Sequence, residues 1–465
     1  MRCSKTTGSV LLILGIVVVR LPLLFSPTLI PDIDEAALAI QVQKWLEGIP
    51  VQSFFPGQIH NWVGLEMLIV APWLMLFPPS VYALKLPVLL IFSASVLLLF
   101  HVATKRLRPL PLVLLMLGVT SLPPLLIWSM KLRGGYIPAF FFMSLAMFIL
   151  SRKRVWPIHM LFFGASLSLM IQSHLLCGVF AIVPISTLLK RNYLNPYHII
   201  FASFGVIIGW MITLIGKTPK LLFPADTDRF ADSFAVFSAP IIHDFWQFLS
   251  GQFLFWQTPS PSLIFLVVPL LLTALIIKMM VGPQRIQMAL LILGVIVFYW
   301  LFQPFPLRYG VPFLLALLAM VASSPPNIRG QWLVIPTAYI ILIPFITPFL
   351  HSHLHSKEST RTENQIREWV KRDAEYATVF CEDEALAYIL NFYGETHYRA
   401  KPAYSRFQRD WYDAEHALQS NDAVGLISQR PVINDMIGSP IGLSFYFYDA
   451  LDHSDLKKLG FELKE

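Results

Sequence analysis

Charged side chains are scarce in this sequence: Asp, Glu, Lys and Arg make up 14% of 465 residues, against 56% hydrophobic ones. So few charges cannot clothe a water-facing surface, which excludes an ordinary soluble globular protein. A mean hydropathy of +0.62 agrees. Cysteine is scarcer still. Cys3, Cys177 and Cys381 are far apart in the chain, which argues against a disulfide framework and offers no metal site. A Walker-type glycine loop is absent, so nucleotide hydrolysis has no support. Nor does a small-residue cleavage site follow the first apolar run, from about Val10 to Phe25. With Arg2 and Lys5 before it, that run is expected to stay as a first span, not leave as a signal peptide. Internal repeats and low-complexity tracts are missing as well.

What is present is a series of apolar runs of membrane-spanning length, which takes roughly 20 residues each. Expected spans cover 9–26, 84–104, 110–129, 136–151, 156–173, 174–190, 197–216, 261–280, 286–303, 308–323 and 331–350. The net charge of +7 sits in short clusters between these runs, as topology signals do, and so implies no nucleic-acid partner. One further apolar segment, Trp62 to Phe77, decides the topology. If it is re-entrant or interfacial, the clusters Lys105/Arg106/Arg108, Arg152/Lys153/Arg154, Lys190/Arg191, Lys278/Arg285 and Arg329 all fall on one side. The positive-inside rule makes that side cytoplasmic. The expectation is an all-α polytopic membrane protein of about eleven spans with its amino terminus inside.

Residues 27–83 then form a long first extracytoplasmic loop and 217–259 a second, which carries Asp226, Asp228, Arg229, His243 and Asp244. A loop this long without periodicity is more often functional than filler. Within the first loop, Glu35 to Leu46 places Ala36, Ala39, Ile40, Val42 and Leu46 compatibly with one helix face, and Gly48-Ile49-Pro50 ends it. Phe54-Phe55-Pro56-Gly57 reads as a turn. Beyond residue 350 the composition becomes charged. Thr378-Val379-Phe380 reads as a strand, Glu384 to Phe392 as a helix and Val424 to Ser428 as a second strand. Residues 351–465 are expected to form a small extracytoplasmic α/β domain after a transmembrane domain over 1–350.

At the mouth of the first span, Asp32, Asp34 and Glu35 lie within four residues. Carboxylates there are expensive to desolvate, so a polar site is the default reading. The stretch also carries a resemblance. An apolar helix ending Arg20-Leu21-Pro22, then Asp34-Glu35-Ala36 opening a short helix, resembles the first outer loop of GT-C glycosyltransferases. The similar branch holds the protein O-mannosyltransferases and the bacterial aminoarabinose transferases. A looser match is Gly64-Leu65-Glu66, like the Gly-x-Glu that opens a second juxtamembrane helix in that family, and a clear Lys-Pro phosphate motif is missing.

The resemblance implies an inverting transferase that takes a sugar from a polyprenyl-phosphate donor to an extracytoplasmic glycan, lipid or protein, at the outer face of a cytoplasmic membrane. Asp34 aligns with the family's catalytic aspartate and Glu35 with its acidic neighbour. Asp32 lies outside the match and reads as a loop or capping residue, while capping is the structural alternative for Asp34 too. The departing phosphate needs cations near the outer interface. Candidates are Arg308 in Pro306-Leu307-Arg308-Tyr309, Lys85 at the start of the second span, Lys131 and Arg133 in an outer turn, and His174 at another. Interfacial snorkelling is the structural alternative for the cations. His351, His353 and His355 alternate as metal ligands can, but without an acid or cysteine at fixed spacing they carry no metal assignment, and no cofactor is expected. Trp128, Trp246 and Trp256 read as an interfacial aromatic belt. The alternative function is a transporter or flippase for a lipid-linked glycan, which needs polar groups at the bilayer midplane. The acids cluster at the outer mouth instead.

Overall fold

A computed structural model describes residues 4–25, 31–49, 64–105, 108–132, 135–173, 177–178, 181–190, 195–214, 285–301, 310–323, 367, 378–381, 384–394, 400–402, 424–428, 432–433, 436–437, 439–440 and 446–451. The expected spans over 261–280 and 331–350 and the second long loop lie outside these. The chain divides into two compact units, one of Met1–Leu24, Val88–Ile215 and Pro224–Leu354, the other of Phe25–Pro87, Gly216–Phe223 and His355–Glu465.

The first unit is helical where described. Helix α1 is Lys5–Leu24; α4, whose first turns belong to the second unit, is Val81–Ala103. Both are long and apolar enough to cross a bilayer. Helices α5 (Pro109–Thr120), α6 (Pro123–Trp128), α7 (Tyr136–Leu150), α8 (Pro157–Ser173), α9 (Ile182–Lys190), α10 (Pro196–Leu214), α11 (Arg285–Leu301) and α12 (Gly310–Ser323) follow. Large apolar side chains stand exposed on several of them, among them Leu14 and Val18 on α1 and Phe204, Ile207 and Met211 on α10. In water such faces would be a liability, whereas lipid solvates them. By contrast, Val311 to Ala322 on α12 are all buried, as a core helix requires.

The expected span 110–129 is corrected to two helices, α5 and α6, and the reason is local. Pro123 and Pro124 have no N–H to continue a helix, and Pro at the first positions starts a new one. In an unbroken helix the Thr120 carbonyl would accept from residue 124, a proline that cannot donate. Arg20 of α1 supplies the missing donor: its Nη2 gives hydrogen bonds to the carbonyls of Thr120 at 2.8 Å and Leu125 at 3.4 Å. Its Nε donates to Ser129 Oγ at 2.7 Å and its Nη1 to the Ile16 carbonyl at 3.0 Å. The guanidinium lies 5.0 Å from the centre of the Phe92 ring. A fully buried charge is thus spread over neutral acceptors and an aromatic face. Within the expected span 174–190 the described helix is α9, Ile182–Lys190.

Helices α8 and α10 run alongside each other with almost no side chain between them. A Cβ at Gly164 would stand 1.9 Å from the Ala202 carbonyl oxygen, and one at Gly205 1.9 Å from that of Leu161. Gly205 and Gly209 form the small-xxx-small spacing that lets helix backbones touch in lipid. Ala146, Ile149 and Leu150 of α7 pack with Met160 and Phe163 of α8, and Phe201 and Ala202 of α10 pack against the same cluster. Connections assigned to the basic side are tied together in pairs. Lys105, after α4, donates to the carbonyl and Oγ of Ser151, after α7, and Lys190 donates to Gln287 Oε1 at 2.9 Å across α9 and α11.

The second unit contains α2 (Ile33–Leu46), α3 (Gly64–Leu76) and the first turns of α4. At 13 residues, α3 is about 20 Å long, short of the roughly 30 Å hydrocarbon core. Its start at Gly64 puts Glu66 in the first turn. The carboxyl-terminal part supplies β1 (Thr378–Cys381), α13 (Glu384–Tyr393), β2 (Ala400–Pro402), β3 (Val424–Ser428), β4 (Val432–Ile433), β5 (Met436–Ile437), β6 (Ser439–Pro440) and β7 (Tyr446–Leu451). The strand, helix and second strand read from the sequence are β1, α13 and β3. A five-stranded sheet has the order β2-β1-β3-β7-β6, with β1 parallel to β2 and β3, and β7 antiparallel to β3 and β6. Helix α13 is the crossover between β1 and β2. It packs on those strands and also on α2, which packs on α3 in turn.

Candidate active site at the start of helix α2

Helix α2 begins with a complete capping box. Asp32, the N-cap, accepts from the Glu35 N–H at 2.9 Å, and Glu35 Oε2 accepts from the Asp32 N–H at 3.0 Å. The capping role therefore falls to Asp32 and not to Asp34. Asp34 stands in the first turn, where the helix dipole favours a negative charge. The other end closes as a Schellman motif: the Ile49 N–H bonds the Lys44 carbonyl at 2.9 Å and Gly48 N–H that of Trp45 at 3.0 Å. Gly48 has φ of 79°, the left-handed conformation that this motif asks of its glycine. Burial pushes the Lys44 ammonium below its ordinary value, with Glu47 acting the other way.

The expectation that α2 shows one apolar face is corrected. Every residue from Asp34 to Gln43 is buried, including Gln41 and Gln43, while Leu46 is exposed. The reason is that α13 comes from more than 300 residues away to cover a face that the local pattern leaves polar.

Three of the sequence-derived site residues meet here. Lys85 on α4 reaches both oxygens of Glu35, at 2.8 Å each, with side-chain exposures of 5% and 1% for the two partners. Asp34 is the neighbour of this pair and is 8% exposed. A buried ion pair is stable only when its remaining lone pairs are also satisfied, and the capping bond from Asp32 helps to meet that condition. The acid motif and the phosphate-binding candidate are thus one constellation: a carboxylate on the first turn of α2, beside a second carboxylate that fixes a buried ammonium.

Lys131 belongs to the other unit. It is buried and its Nζ lies 5.7 Å from the centre of the Trp128 ring, which meets Tyr136 edge-on at 5.3 Å. Trp128 is therefore a buried residue, correcting its assignment to an interfacial aromatic belt. Gly135, with φ of 72°, lies against the carbonyl of Ser173, the residue before His174. Arg133, His174, Arg308, Trp246, Trp256 and the three histidines at 351, 353 and 355 lie outside the described residues. Sequence reasoning missed Arg20 as a structural centre, although a charge inside an apolar run was the available signal. It also missed Gln43, which carries no such signal.

No family model and no curated protein matches the sequence. Among solved structures, the chain is similar to ArnT from Cupriavidus metallidurans bound to undecaprenyl phosphate. The TM-score is 0.60 at 12% identity, over 95% of this chain and 98% of that one. The apo state of the same protein gives 0.58 at 12% identity, over 96% and 99%. At that identity the likeness is one of fold.

Proposed function

We propose that this chain is a membrane glycosyltransferase that moves a sugar from a polyprenyl-phosphate donor to an extracytoplasmic acceptor. The observation that carries the reading is the Asp34–Glu35–Lys85 constellation on a fold similar to one crystallised with a lipid phosphate. Such a transfer needs a base for the attacking group and a cation for the departing phosphate. In the proposed reaction an acceptor hydroxyl or amine gives its proton to Asp34 while its lone pair forms the bond to the anomeric carbon. The bond from that carbon to the phosphate oxygen breaks, and polyprenyl phosphate leaves with the electron pair. One displacement inverts the anomeric centre. Glu35 serves as the holder of α2 and Lys85, since both of its oxygens are engaged. Lys85 is the proposed phosphate partner in its unit. Lys131, Arg133, His174 and Arg308 are further candidates for the donor and acceptor ends.

The transmembrane domain over 1–350 would hold this chemistry, with the first loop and the domain over 351–465 on the outer side of a cytoplasmic membrane. The transport reading gains no specific observation. The test is to incubate the purified chain in lipid vesicles with a polyprenyl-phosphate carrying labelled sugar and a mixture of envelope acceptors. Release of polyprenyl phosphate together with a labelled product of inverted configuration is expected. Donor carried across the bilayer intact, with no release, would replace this reading by transport.

A further inference from the structure

Among the described elements, helix α13 packs on the edge of the sheet at β1 and β2 and, within the same unit, on α2. Every residue from Ala387 to Tyr393 is buried, so this stretch of α13 has no solvent-facing side. Its last carbonyls lack intrahelical donors, as at any helix end. One of them is met from outside: the Gln43 side-chain amide donates from Nε2 to the Phe392 carbonyl at 3.1 Å. The carbonyl fixes which end of the amide faces it, because the amide oxygen would be repelled there. A second tie comes from Arg367, whose guanidinium lies 5.0 Å from the centre of the Tyr393 ring and which donates to the carbonyl of Pro79, just before α4. The end of α13 is therefore held to α2 on one side and to the chain entering α4, which carries Lys85, on the other.

We propose that Gln43 is a positioning residue through which α13 clamps α2 and sets where Asp34 stands; this rests on the reading of Asp34 as the base. Gln43 and Asp34 are nine positions apart on one helix, roughly 13 Å along its axis. The amide acts through the helix and touches no reacting atom. Rigid placement of this kind is where small displacements cost most, because a shift of about 1 Å at a reacting group lowers turnover about a hundredfold.

The experiment compares the full chain with Gln43→Glu, which puts a carboxylate against the helix-end carbonyl, and Gln43→Met, which keeps the shape and removes the donor. Amide hydrogen exchange over residues 34–43 and steady-state transfer from a labelled polyprenyl-phosphate sugar are both read. Exchange at least about tenfold faster in both variants is expected, with turnover lowered about tenfold or more and donor KM within about twofold of native. Native exchange with native turnover in Gln43→Met overturns the proposal, as does a change confined to KM. Should Gln43→Glu not accumulate in membranes, Gln43→Met alone decides. If the native chain transfers no sugar, the reading of Asp34 fails, and the exchange arm still decides whether α13 holds α2.

Discussion

Glu35 has little capacity left for catalysis. One oxygen accepts from Lys85 and the other from Lys85 and the Asp32 amide. Removing one member of a buried pair leaves the other charge uncompensated, at about 3–5 kcal/mol, whereas removing both is often close to neutral. Glu35→Gln and Lys85→Met should therefore each lower thermal stability sharply, and the double variant should recover most of the loss without recovering transfer. A thermal-melt double-mutant cycle in detergent checks this, and additive losses would show that the pair does not couple. Much of this site was legible in the sequence. Asp34, Glu35 and Lys85 were all singled out, and Asp32 read as a cap, because caps and mouth-of-span acids are local signals. That Glu35 and Lys85 pair was not legible, since they stand 50 residues apart and no local window holds both.

At the scale of elements, helices α8 and α10 depend on the absence of side chains. An added methyl at Gly205 meets a backbone oxygen at 1.9 Å, whereas one at Gly209 meets its nearest atom, Ser168 Cβ, at 2.8 Å. Overpacking of this kind costs about 1–3 kcal/mol, and more where backbone must move. Gly205→Ala should accordingly lower the melting temperature more than Gly209→Ala, and equal effects would contradict the close approach. Most helices could be placed from the apolar runs. The exceptions follow from chemistry that such runs conceal: two consecutive prolines split 110–129, and a distant helix turned α2 from half-buried to buried. Strand β1, helix α13 and strand β3 were legible because their residues alternate or repeat on short periods. Their docking on α2 was not, because nothing in a local window records it.

For the whole molecule, the distribution of charge sets the orientation. Lys105 is tied to Ser151 and Lys190 to Gln287, beside the basic clusters that the positive-inside reading puts on the cytoplasmic face. Cysteine introduced for exposed Lys153 should react with an impermeant maleimide only after right-side-out vesicles are opened. Cysteine introduced for Trp45, 44% exposed at the end of α2, should react at once. The reverse pattern would invert the topology and remove the site from the outer face.

The central claim is that Asp34 is the base of a sugar transfer, and single-turnover transfer from a labelled polyprenyl-phosphate sugar by native and Asp34→Asn chains tests it most directly. The variant should fold and melt like the native chain but transfer about a hundredfold to ten-thousandfold more slowly, the range for loss of a general base. Equal rates in the two chains would contradict it.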